Sequence, residues 1–197
     1  MEEEKFSGEE SLRLIQSMIN RAQDKFAENG HLYLLWGWVV FICSITQFLL
    51  QRVFHLSPNQ TWFIWLLTWV ALIYQLIYIR RKRKKMEVRT YTGEIVAYVW
   101  IVFGITTILM AYILGSHQQT FLVNAILLVS YGIPTFLSGI ILRFKPLIWG
   151  GVFCWTLALV CSWVMSDFQL LLIATAVLVA WIVPGYQLRK KYKLSNA

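Results

Sequence analysis

Six stretches of this chain, residues 32–50, 61–79, 94–114, 120–142, 147–165 and 168–188, are almost unbroken runs of apolar side chains. A helix needs about 20 such residues to cross a hydrocarbon core about 30 Å thick, and each run is near that length, the fifth being the shortest. The apolar residues are continuous rather than alternating, which argues against the in/out pattern of a barrel strand. Without water to satisfy the backbone inside lipid, runs of this kind must be helical. The sequence therefore predicts an all-α fold, an integral membrane bundle of six transmembrane helices. Composition agrees with this class, 58% of residues being apolar and only 14% charged.

A net charge of +8 would point to nucleic acid if it were spread over a polar domain. Here the basic residues sit in blocks between apolar runs, and no nucleic-acid partner is expected. Arg80, Arg81, Lys82, Arg83, Lys84, Lys85 and Arg89 follow the second run, Arg143 and Lys145 the fourth, and Arg189, Lys190, Lys191 and Lys193 the sixth. The alternate connections, residues 51–60, 115–119 and 166–167, hold one basic residue, Arg52. By the positive-inside rule both termini are cytoplasmic. Trp36, Trp38, Trp62, Trp65, Trp163 and Trp181 lie near run ends and read as interfacial aromatic belts. The acidic start, Met1-Glu2-Glu3-Glu4, is the opposite of a basic signal-peptide region, so no cleaved signal is expected.

Residues 1–30 are a different element. Leu12, Ile15, Met18, Ile19, Ala22 and Phe26 recur at the three- and four-residue spacing of one helical face, with charges on the other. Ser7 with Glu10 has capping-box spacing, and Asn29-Gly30 offers a stop before the first run. This amphipathic cytoplasmic helix is expected to lie at the membrane interface, under the bundle, or against a partner. The expected organisation is thus 1–30 amphipathic helix, 31–188 six-helix transmembrane domain, and 189–197 basic cytoplasmic tail. Trp36-Gly37-Trp38-Val39 and Trp149-Gly150-Gly151-Val152 both open outward-going helices, which leaves open a hairpin repeat.

Chemistry is sparse. A pump or proton-coupled carrier keeps ionisable groups at membrane depth, and none of the six runs has Asp, Glu, Lys, Arg or His near its middle. Glu94 and Asp167 stand at helix beginnings, where a carboxylate meets the favourable end of the dipole. His31, His55 and His117 fall on opposite surfaces, and Cys43, Cys154 and Cys161 lie inside apolar runs without metal-ligand spacing, so no metal, cofactor or enzymatic activity is expected. The fourth run is the most informative. Asn124, Tyr131, Thr135 and Ser138 share one face there, and Pro134 cannot donate to the Ser130 carbonyl, which loosens the helix. Two readings follow: a polar surface for a substrate, as in broken transporter helices, or small polar residues that allow close helix packing, like Thr135 with Gly139 and Ala176 with Ala180. Trp69 and Trp155 lie deeper than a belt predicts, and Gln47, Thr68, Gln75 and Thr106 add uncharged polarity. The candidate lining of a neutral cavity is therefore Asn124, Tyr131, Thr135, Ser138, Trp69, Gln75 and Trp155.

Glu10-Ser11-Leu12, the amphipathic stretch ending at Phe26, Leu35-Trp36-Gly37-Trp38, and Arg143-Phe144-Lys145-Pro146-Leu147-Ile148-Trp149-Gly150-Gly151 resemble a family of small bacterial multi-span membrane proteins. The resemblance covers most of the chain and implies a bacterial cytoplasmic-membrane location; it carries no activity and no functional residue. Two functions are expected from the residues. One is non-enzymatic association with a partner protein, a second copy, or anionic membrane lipid, through Leu12, Ile15, Ile19 and Phe26 and through Arg81, Lys82, Lys84 and Lys85. The other is a facilitator for a neutral small solute, using the Pro134-loosened face.

Overall fold

A computed structural model describes residues 12–13, 30–85, 91–117 and 119–195. Among the described residues every regular element is helical. Helix α1 is Gly30–Arg52; a single turn, Pro58–Thr61, and a 3-10 segment, Trp62–Trp65, lead into α2, Leu66–Lys85. Helices α3 (Tyr91–Ser116), α4 (Thr120–Ile141) and α5 (Lys145–Cys161) follow. The last, α6, is α-helical over Ser166–Val177, makes a π-helical turn over Leu178–Ile182, and is α-helical again over Val183–Ser195.

Five helices are long and apolar enough to cross a membrane: Gly30–Arg52, Trp62–Arg81, Gly93–Ser116, Phe121–Ile141 and Ser166–Lys190. This is the mark of a membrane protein. The fifth apolar run differs from expectation: α5 has 17 residues, about 25 Å at 1.5 Å per residue, and stops at Cys161 instead of reaching residue 165. Residues 189–195, expected as part of a tail, continue α6 as helical backbone.

Helix α6 is the centre of the molecule. Buried residues make up 61% of its apolar stretch, against 39% for α4, 33% for α1, and 6% each for α2 and α3. The core is formed by α1, α4, α5 and α6, while α2 leans on α1 and α3 on α4. Small residues bring the core backbones close, as packing in lipid demands. A β-carbon on Gly139 would lie 2.6 Å from the Ile148 amide nitrogen, and one on Gly151 would lie 2.7 Å from Phe136 Cβ. Gly37 of α1 and Gly150 of α5 press on the π turn of α6 from two sides, their hypothetical β-carbons 2.7 Å from Ile182 Cγ1 and 2.8 Å from Ala180 Cα. Both tryptophan–glycine sequences therefore serve the same turn. Pro184 accounts for the turn's position, since its ring nitrogen can give nothing to the Ala180 carbonyl, and the Val183 amide bonds instead to Leu178.

Gly30, expected as a stop, is the first residue of α1 and sits against Gly185. Trp181, expected at the interface, is a core residue at 2% exposure, because α6 extends well past it. Trp163, by contrast, is 90% exposed. Of the amphipathic segment, Leu12 and Arg13 are described and helical; Ile15, Ile19 and Phe26 lie outside the described residues.

Candidate functional site

The face of α4 that carries Tyr131, Thr135 and Ser138 turns inward. Thr135 and Ser138 are fully buried and Tyr131 nearly so. Thr135 donates its hydroxyl to the Tyr131 carbonyl at 2.7 Å, a bond within the helix, and accepts the Trp181 indole N–H at 2.8 Å. That second bond ties α4 to α6 just where the π turn swings Trp181 into the core. The Tyr131 ring lies 4.8 Å from the Trp181 ring and 5.7 Å from Phe103 of α3. Trp100 of α3 completes the cluster, 5.7 Å from both Trp181 and Tyr33 of α1. Four helices thus meet in one aromatic knot with hydroxyls inside it.

Two of those hydroxyls lack a well-aligned partner among the described residues. Tyr33 Oη lies beside Ser138 and the Trp100 indole, but neither Tyr33 Oη nor Ser138 Oγ meets a partner there in full hydrogen-bond geometry. Ser44 and Thr107 hydroxyls are also buried without a partner among the described residues. A buried unpaired hydroxyl costs about 1–3 kcal/mol by mutational measure, so this knot is held together by packing at some polar expense.

The other candidates are dispersed. Asn124 sits two turns from Tyr131 on α4 and donates Nδ2–H to Gln169 Oε1 at 3.1 Å. Gln75 accepts a short bond from the Trp36 indole and joins α2 to α1. Trp155 is applied to the back of α4, donating to the Val129 carbonyl at 3.2 Å and lying over Gly132 and Phe136. Trp69 is 61% exposed on α2. The structure therefore brings Tyr131, Thr135 and Ser138 together and leaves Asn124, Gln75, Trp155 and Trp69 outside their cluster. Arg81 is exposed; Lys82, Lys84 and Lys85 extend α2 as helical backbone, and their side chains lie outside the described residues.

Two features were not singled out from sequence. Gln169, fully buried, donates to the Cys161 and Val164 carbonyls at 3.1 and 3.0 Å, at and just beyond the end of α5, where carbonyls have spare accepting capacity. A second uncharged clasp holds the segment leading into α2 against α1: Trp65 donates to Gln47 at 2.7 Å, and Gln51 and Gln47 donate to Thr61 at 3.0 and 3.3 Å. A glutamine near the start of an apolar run is the signal that could have pointed to the first.

Chemically, these groups can orient and hold helices. Among the described residues no set of three or more His, Cys, Asp or Glu converges on a point that could hold a metal ion, and the three thiols are free and buried. Comparison of the chain with protein-family models, with curated proteins and with solved structures found no match.

Proposed function

We propose that the chain is a six-span protein of the bacterial cytoplasmic membrane, with both termini inside, and that it acts without catalysis by associating with a partner protein, a second copy, or lipid. The observation that carries this reading is the contrast between its two halves. The α4 face that a solute path would need is closed by direct packing on α1, α3 and α6. Helices α2 and α3, by contrast, leave most of their apolar surface uncovered, with Tyr98, Ile101, Ile105 and Ile108 of α3 each more than half exposed. Polar clasps at the middle of α2 and in the segment that leads into it, and one packed face on α3, suit elements that dock against something else in the plane of the membrane.

The test is extraction in native-lipid particles followed by mass measurement of bound proteins and lipids. A stoichiometric complex, or lipid enriched over the bulk membrane, is the expected result. A single chain carrying lipid in bulk proportion would overturn it. The facilitator reading draws support from one observation, the unpaired hydroxyls of Tyr33 and Ser138 at the centre of the knot. It predicts solute-driven swelling of proteoliposomes that is lost in Ser138→Ala.

A further inference from the structure

On the outward side of α5 and α6 lies an open groove of about 460 Å³, bounded by Pro146, Trp149 and Phe153 of α5 and by Val179, Val183 and Pro184 of α6. Its floor is the close meeting of Gly150 with Ala180, where neither residue has a side chain long enough to fill the space. The volume falls within the roughly 300–1,000 Å³ of small-ligand sites. Thr156, which also lines it, already donates its hydroxyl to the Phe153 carbonyl at 2.8 Å, so the wall is apolar in character.

Length and charge select the occupant. From Pro146 to Thr156 the groove runs ten helical positions, about 15 Å, half of a hydrocarbon core about 30 Å thick. It begins at the end of the bundle where α4 finishes, α5 starts and α6 finishes, and it closes near mid-depth. That same end carries Arg143, Lys145, Arg189 and Lys190, all exposed. Lys190 is seven residues beyond Val183 and continues its face of the helix. Arg143 holds a left-handed backbone, φ 50°, a position where glycine would be unstrained, and it keeps a guanidinium there. Across residues 120–195 the sole acidic residue is Asp167, at the opposite end of α6. A second copy in the same orientation would bring like-charged ends together, which disfavours it as the occupant.

We propose that the groove binds one acyl chain of an anionic phospholipid from the cytoplasmic leaflet, with the headgroup held by Lys145 and Lys190. The site deepens the association reading and rests on the orientation given with it. Native mass spectrometry of the full chain, released from nanodiscs of equal phosphatidylglycerol and phosphatidylcholine, tests it. The wild-type chain retains one phosphatidylglycerol. Val183→Trp, which fills the groove from an exposed position, loses it, while Ile108→Trp on exposed α3 does not. Lys145→Gln with Lys190→Gln lowers the preference for phosphatidylglycerol roughly thirty-fold, two charges at about 1 kcal/mol each near an anionic surface. Equal retention of both lipids by the wild type overturns the proposal, as does undiminished retention by Val183→Trp. A change in subunit number with the lipid count intact also overturns it, by making a second copy the occupant. Should Val183→Trp lose its helical circular dichroism, the charge pair decides by the same measure. Failure here leaves the enrichment and complex-formation test of the broader reading untouched.

Discussion

Gln169→Leu is the perturbation that isolates how the short helix α5 is held. The wild-type amide makes three bonds, from Asn124 at 3.1 Å and to the carbonyls of Cys161 and Val164 at 3.1 and 3.0 Å. Leucine fills a similar volume at a site with no exposure, so the cavity term is small and the polar loss dominates. Interhelical side-chain bonds in membranes are worth about 0.6 kcal/mol on average and up to about 1.7, which puts the loss near 2 kcal/mol and no higher than about 5. The Cys161 carbonyl keeps a second donor, the Val164 amide at 3.3 Å, which pulls the expected value toward the lower figure. Asn124→Leu alone leaves the Gln169 carbonyl unpaired and costs about 1 kcal/mol. Unfolding of each variant in mixed micelles with rising dodecyl sulfate gives these values, and the double mutant gives the coupling. Removing both partners costs less than the sum of the singles by about 0.6–1.7 kcal/mol. Strict additivity, or a cost for Gln169→Leu below about 0.3 kcal/mol, would refute the reasoning that this amide ties α4, α5 and α6 together.

Cysteines placed at Ser57 and His117 label from outside intact cells, and those at Met86 and Ser195 do not; outside labelling at Met86 removes the orientation. Thr135→Val strands the Trp181 indole N–H and lowers stability by about 1–2 kcal/mol, read as a fall in thermal midpoint, with an unchanged midpoint counting against the α4–α6 tie. Gly139→Leu forces side-chain atoms onto the Ile148 backbone and costs at least about 1–3 kcal/mol, measured in the same assay, where Gly104→Leu, with nothing within 4 Å of its β-carbon position, is near neutral. Ile15→Asp with Ile19→Asp changes subunit size or partner recovery while leaving the six apolar runs inserted; unchanged size, stability and recovery would leave interfacial anchoring as the stripe's role.

Helix positions were legible because length and continuous apolarity are enough to define them, and spacing alone put Tyr131, Thr135 and Ser138 on one face without saying that the face turns inward. What those residues meet was not. In lipid a helix is apolar on its buried and exposed sides alike, so periodicity does not say which way Trp69 turns, and it proves exposed. Trp181 looked terminal when counted against a run ending at residue 188, but α6 continues to Ser195 and its centre shifts accordingly. Gln169 has a role because α5 ends at Cys161 and offers carbonyls there, a tertiary fact that the glutamine's place near the start of an apolar run signals without saying what it meets. Pro184 was the local sign of the π turn; its effect on Trp181 depends on α1 and α5 pressing from both sides.

The π turn at Leu178–Ile182 also sets a phase for everything beyond it. Such a turn winds its five residues through about the rotation of four α-helical ones, so a residue lost from α6 ahead of Gly185 with the turn kept would rotate the rest of the helix by about 100°. Hydropathy and helix length would hardly change. Yet Tyr186 would arrive where Gly185 now meets Leu34, and Arg189 would take the place of buried Leu188. The chain thus tolerates many apolar exchanges along this helix but no slip in its count, and a frame of one residue separates a closed bundle from one with a guanidinium forced into its core.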